Sequence, residues 1–269
     1  MALADAVAVG TSARSIVLLG DPQQLPHVTQ TQHPEGSGRS VLEHLLDGAH
    51  TVGADRGVFL AQSWRMHPDL SAFVSELSYD GRLTSAPGCE RQRVSSPGLA
   101  GAGLRYLPVE HRHNAQQSPE EAAAIAAEID RLLQPGAAVV DRAGVARPLT
   151  ASDILVVAPY NMQVRCLRDR LPPGVEVGTV DRFQGREAAV VFFSMASSSG
   201  DEAPRGLAFL FDHHRFNVAL SRAKCLAIVA CSRRLLEARC RTVDDMRLVN
   251  ALCRFAEAAA PAATAPATS

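Results

Sequence analysis

Four segments carry the side chains best suited to work on phosphates. Gly20-Asp21-Pro22-Gln23-Gln24-Leu25-Pro26 closes an apolar run with a rigid Gly/Pro turn, from which Gln24 is placed to contact a phosphate or orient a water. Trp64-Arg65-Met66-His67-Pro68 sets Arg65, whose planar fork suits two phosphate oxygens, just ahead of a helix. In Gly178-Thr179-Val180-Asp181-Arg182-Phe183-Gln184-Gly185-Arg186-Glu187, Gly185 permits close backbone approach and Glu187 is able to accept from hydroxyls such as those of a ribose. Arg215-Phe216-Asn217-Val218-Ala219-Leu220-Ser221-Arg222-Ala223 reads as a short helix, with Arg215 and Arg222 seven apart on one face and Asn217 and Ser221 on another. An arginine projected from it into a neighbouring nucleotide site would be a finger for phosphoryl transfer. Each segment alone also fits an ordinary reading: a turn, an ion-paired helix entry, solvated loop charges, a basic helix face.

The elements that must hold these residues read as α/β. Short continuous apolar runs at Ser15–Leu19, Asp153–Pro159, Val175–Val180, Ala188–Ser194 and Cys225–Ala230 predict strands buried on both faces. Helical patterns lie between them. Pro68–Tyr79 carries Leu70, Phe73, Val74 and Leu77 on one stripe, and Ser118-Pro119-Glu120-Glu121 supplies a cap, an N1 proline and an acidic first turn for a helix running to about Gln134. That alternation implies a parallel sheet flanked by helices, with ligands at the carboxyl edge of its strands. Arg65, Glu187 and Arg222 are therefore expected together on that edge, at least partly solvated. Pro87–Gly103 and Ser197–Gly206 read as surface loops, and the Ala/Pro/Thr tail from Ala258 to Ser269 as disordered.

Composition excludes several classes. The 269 residues carry a net charge of −1, so a polyanion must be held by local arginines rather than by a basic surface. Of 27 basic residues only Lys224 is lysine, and no glycines precede it as a P-loop requires, so the chain contains no P-loop. Lys224 reads as a helix-end cation. Six cysteines show no CxxC and no metal-ligand spacing, and His111 with His113, or His213 with His214, lack a third ligand and read as solvated loops; no metal site is expected. The longest apolar stretch, Ala188–Ala196, is far short of a membrane span, and the N-terminus lacks a basic region, so a cytoplasmic, membrane-free chain is expected.

Taken in order, the four segments resemble motifs of superfamily 1 helicases of the up-frameshift type: GDPQQLP for the third motif, WRMHP for the fourth, TVDRFQGRE for the fifth and RFNVALSRA for the sixth, with Ala158-Pro159-Tyr160-Asn161-Met162-Gln163 similar to an intervening APYxxQ element. The resemblance implies a RecA-like fold of the P-loop NTPase class. It implies that Gln24 senses the γ-phosphate of ATP, that Arg65 and Arg222 reach the same phosphate, that Gly185 and Glu187 lie by the ribose and phosphates, and that Tyr160 and Thr179 lie near a single nucleic-acid strand. The first and second motifs, which hold the phosphates and Mg2+, are absent ahead of Gly20. On this reading residues 1–50 are a remnant of the first RecA-like domain, 51–257 a complete second one and 258–269 a tail, and ATP and Mg2+ bind only when a missing N-terminal RecA-like domain is supplied in cis or in trans. The last segment looks most like bacterial members that fuse such a helicase behind a RecB-like nuclease, which places DNA ahead of RNA. The rival expectations are a binding module without turnover and an inactive fragment.

Overall fold

The computed structural model describes residues 1–25, 37–183 and 185–261. Its centre is a sheet of six parallel strands whose neighbours run β11-β4-β10-β9-β7-β8. In chain order the elements begin with α1 (Leu3–Gly10), α2 (Val41–Leu46), β1 (Gln62–Ser63), α3 (Pro68–Ser78), β2 (Thr84–Ser85), β3 (Arg93–Ser95) and β4 (Gly103–Pro108). They continue with α4 (Pro119–Leu132), β5 (Ala138–Val140), β6 (Ala146–Pro148), β7 (Ile154–Val157), α5 (Asn161–Arg168) and β8 (Glu176–Gly178). The last are β9 (Ala188–Ser194), α6 (Gly206–Leu210), α7 (His213–Leu220), β10 (Ala223–Cys231), α8 (Val243–Ala258) and β11 (Ala260–Pro261).

Period-two alternation along the central strands builds two cores from continuous apolar runs. Leu155 and Val157 of β7, Val191 and Phe193 of β9, and Ala227 and Val229 of β10 face α3, α7 and α8, meeting Leu70, Phe216 and Phe255. Ile154, Val156, Val190, Phe192, Leu226 and Ile228 face α4 and α5, meeting Ile125, Ile129 and Leu167. Helix α4 forms as its sequence requires: the Ser118 hydroxyl accepts from the Glu121 amide, Pro119 stands at N1, and Ala122, Ile125, Ile129 and Leu132 repeat at helical spacing on the buried stripe. The expected α/β fold is present, with helices on both faces of a parallel sheet.

Several expectations differ from the structure, among them the surface loop Ser197–Gly206, whose Ser197, Ser198 and Ser199 are buried. Ser15–Leu19 is not a strand: it is extended and solvent-exposed, with Val17 82% and Leu19 89% accessible, because no strand of the sheet lies beside it to satisfy its backbone. The Pro87–Gly103 stretch is not a plain loop, for β3 pairs antiparallel with β5 and buries Val94, while Cys89 and Leu99 are also enclosed. Its end opens β4, hidden from the apolar-run signal because Arg105 sits mid-strand; that guanidinium is satisfied by the carbonyls of Ala100, Ala102 and Leu104. Finally, Ala258 ends α8 and Ala260–Pro261 pair with Arg105–Tyr106, so ordered structure extends past the expected boundary; the tail beyond 261 lies outside the described residues.

Candidate nucleotide and nucleic-acid site

Sequence-distant segments meet at one edge of the sheet. Arg65, on the turn from β1 into α3, donates from Nε to Glu187 Oε2 at 2.7 Å and from Nη1 to the Ser221 carbonyl at 2.9 Å. Lys224, second residue of β10, pairs with the other oxygen of the same carboxylate at 2.7 Å. Arg222 stands just before β10, where Nε donates to the Val218 carbonyl at 3.1 Å and Nη2 to Gln24 Oε1 at 3.2 Å. Gln24, Arg65, Glu187 and Arg222 are thus one cluster, with Gly185 two residues away on a left-handed turn at φ +80°. Space around Gly185 is open, so its glycine is required by the backbone angle rather than by close packing.

The cluster lies on the amino edge, not the expected carboxyl edge. Glu187 and Arg222 are the residues that lead into β9 and β10, and parallel strands put all such positions at one end. Nor is the whole cluster solvated. Arg65 is partly open, but Arg222 is only 3% exposed, and its burial is made tolerable by neutral carbonyl acceptors from α7 and Gln24. Burial, and then the adjacent Arg65 guanidinium, push the Arg222 pKa down. The Lys224 hydrogen bond, reinforced by Arg65 against a burial effect of opposite sign, holds the Glu187 carboxyl below its ordinary range. Lys224 is accordingly a strand residue paired across the cluster, not a helix-end cation.

Asp21 ties the Gln24 turn to this edge. It accepts from the Gln23 amide at 3.0 Å, from Gln24 Nε2 at 2.7 Å and from the Tyr79 hydroxyl at 2.6 Å. Asn217 Nδ2 donates to Tyr79 Oη at 3.0 Å and to the Gln23 carbonyl at 2.8 Å, joining α7 to the same network. Sequence reasoning missed Asp21, Tyr79 and Lys224. The lone lysine two residues after Arg222 was the available signal.

Tyr160 and Thr179 lie at the opposite, carboxyl edge, after β7 and β8. Thr179 is half-buried. Tyr160 is 6% exposed, with its ring 5.5 Å from that of Phe209, so a base would have to displace Phe209 to stack on it. Arg215 belongs here too: its guanidinium lies over the Phe209 ring, whereas Arg222, beyond the end of α7, enters the other cluster, so the two do not share a face.

Beneath this edge is a buried polar network. Glu121 accepts from Ser194 Oγ at 2.5 Å, from the Ala196 amide at 2.9 Å and from His111 Nε2 at 2.9 Å, with His111 Nδ1 bonded to Ser198 Oγ at 2.7 Å. Gln163 of the APYxxQ element bridges Ser194 Oγ and the Ser118 backbone. His111 is therefore enclosed rather than solvated, while His113 is exposed and meets Glu202 at 3.4 Å.

Comparison with known proteins identifies relatives of the chain. Residues 37–234 match a family model described as an AAA domain. The DNA-binding protein SMUBP-2 of Mesocricetus auratus is 32% identical over 82% of this chain and 23% of that protein. The DNA replication ATP-dependent helicase/nuclease DNA2 of Gallus gallus is 30% identical over 81% and 21%. The regulator of nonsense transcripts 1 homolog of Drosophila melanogaster is 28% identical over 86% and 20%. The chain spans about a quarter or less of these relatives' lengths. An α/β parallel sheet that gathers the third, fourth, fifth and sixth motif residues, together with these matches, shows that the chain belongs to the superfamily 1 helicases of the up-frameshift type.

Proposed function

We propose that this chain is the second RecA-like half of an ATP-driven helicase motor, in which Arg65 and Arg222 meet the γ-phosphate and Gln24 senses it. The observation that carries the reading is the amino-edge cluster. Arg65 and Lys224 share one bridging carboxylate, Glu187, and the buried Arg222 beside them has neutral hydrogen-bond acceptors alone. Such a set fits an incoming polyanion, whose charge would offset what burial withholds from Arg222. The phosphates of ATP with Mg2+ would be held by a P-loop and magnesium carboxylates from a first RecA-like domain, in cis or in trans, and would supply the phosphoryl group and its metal charge neutralisation. Release of Lys224 and Arg65 from Glu187 would free the carboxylate for a ribose hydroxyl. The exposed Ser15–Leu19 run supports the missing partner, because a β-branched, apolar segment with Leu19 89% accessible has the character of a strand awaiting a sheet.

Single-stranded nucleic acid would cross the carboxyl edge near Thr179 and Tyr160. The names of two relatives, a DNA-binding protein and a DNA replication helicase/nuclease, favour DNA over RNA and are compatible with an attached nuclease. Phosphate release tests the motor. The chain alone is expected to show no turnover. With a first RecA-like half from such a helicase it gains strand-stimulated ATPase activity, which Arg222→Ala lowers by about 10³ to 10⁵, the range of arginine fingers elsewhere. Turnover by the chain alone, or full activity in a folded Arg222→Ala protein, would overturn the assignment. Strand binding without any complemented turnover would establish the non-catalytic module instead.

A further inference from the structure

Phe209 is clamped between two cations. The Arg205 guanidinium carbon lies 3.7 Å and that of Arg215 4.1 Å from the ring centroid, and the far neighbour of the ring is Tyr160. Among the described residues neither guanidinium has a carboxylate within ion-pair distance, so each charge is held against the ring rather than neutralised by an acid. Arg205 is exposed and Arg215 half-exposed. The buried Tyr160 hydroxyl lies beside the Ser197 hydroxyl. Burial raises the Tyr160 pKa, and the Ser197 hydroxyl and then the Arg205 and Arg215 guanidiniums oppose that rise.

We infer that Arg205 and Arg215, splayed on the Phe209 ring, form a two-cation platform that grips adjacent phosphates of a single nucleic-acid strand at the carboxyl edge. Stacking on the ring fixes both guanidiniums without consuming their outward N–H groups, so two donors are ordered before any ligand arrives. Backbone phosphates are the matching ligand: they are anionic, spaced along the chain and free of sequence. The inference rests on the proposal that a strand crosses this edge, and it moves the contact from the covered Tyr160 to residues outside the family motifs or, for Arg215, to a motif residue pointing away from the nucleotide cluster.

The test is fluorescence anisotropy of a labelled oligothymidylate with the purified chain over a salt series. Each lost phosphate contact reduces the slope of log K against log salt by about 0.7, so the Arg205→Ala/Arg215→Ala protein is expected to lose about 1.4 from the slope and bind roughly 25-fold more weakly near ~0.1 M salt. Arg205→Glu guards against misfolding, since an acidic residue is favourable at the start of α6, and is expected to weaken binding at least as much as Arg205→Ala. The exposed pair Arg91→Ala/Arg93→Ala, one residue on the turn before β3 and one at the start of β3, is the charge-matched control and should bind like the unaltered chain. Unchanged slope in both platform variants, equal loss in the control, or equal competition by duplex would overturn the platform while leaving strand binding intact. Absence of any binding by the unaltered chain would overturn the platform together with the strand-binding half of the proposed function, whereas complemented ATPase activity is read separately.

Discussion

Replacing Glu121 by alanine tests whether the carboxyl edge is held by its buried polar network. In the native protein the carboxylate is wholly enclosed and accepts three hydrogen bonds, from His111, Ser194 and the Ala196 amide. Truncation leaves three buried donors with no acceptor, at about 1–3 kcal/mol each. Two effects reduce the sum: the Ser194 hydroxyl is able to rotate, and a water is able to enter the vacated polar space. The expected loss is about 4 kcal/mol. For a chain of this size that corresponds to a fall of roughly 8 to 16 °C in Tm. Glu121→Gln retains one oxygen but turns an NH2 group toward a donor, so it should cost about 1–2 kcal/mol. Urea unfolding followed by circular dichroism measures both. The reasoning fails if Glu121→Ala lies within about 1 kcal/mol of the parent, or if glutamine and alanine are equally harmful, since either result would mean that those donors do not depend on this acceptor.

Two further outcomes follow from burial. Cys89, Cys225 and Cys231 are buried and Cys166, Cys240 and Cys253 half-buried, and burial pushes the Cys225 thiol up to about 12. Alkylation with N-ethylmaleimide at neutral pH, read by peptide mass spectrometry, should label the second trio first and the first trio only after unfolding. Burial, then Asp21, raises the Tyr79 pKa, so the folded state holds this proton more tightly than the unfolded state. The stability it contributes is complete below the ordinary tyrosine value of 10.0 and is lost as pH rises beyond it toward the folded value. Tyr79→Phe should flatten the alkaline fall of the urea midpoint and speed amide exchange at Asp21, Gln23 and Gln24; an unchanged pH profile would contradict the Asp21 network.

The strands legible in the sequence were those buried on both faces. Ala188–Ser194 is apolar along its length except for its last residue and matches β9 residue for residue, because strands covered by helices on each side need no polar alternation. Strand β4 escaped because Arg105 interrupts it, and only the fold reveals the three carbonyls that satisfy the guanidinium. Ser15–Leu19 failed for the converse reason. Its composition suits a strand, but strands exist only in pairs, and pairing is not a property of a five-residue window. Similarly, the spacing of Arg215 and Arg222 suggested a shared helical face. The helix stops at Leu220, so the second arginine leaves that face altogether. Which residues meet at the amino edge was recoverable from motif order; which edge it would be was not, because that depends on whether a residue enters or leaves its strand.

Helix α7 gives the two edges a physical link. It opens with Asp212 as its cap, carries Arg215 in its first turn on Phe209, and ends at Leu220, two residues before Arg222 enters the amino-edge cluster. Eight helical residues span only ~12 Å, and Phe216, Val218, Ala219 and Leu220 pack the helix into the core, so it moves as one body rather than bending between its ends. Asn217 attaches its middle to Tyr79 and the Gln23 carbonyl, so the third-motif turn is tied to the same body. On the proposed reading, an anion that engages Arg222 would pull on the end of α7, whose opposite end carries Arg215 against Phe209. A phosphate event at one edge would thereby change the grip at the other. Such a link needs no distributed pathway, only a short, well-packed helix with Arg215 in its first turn and Arg222 just past its last.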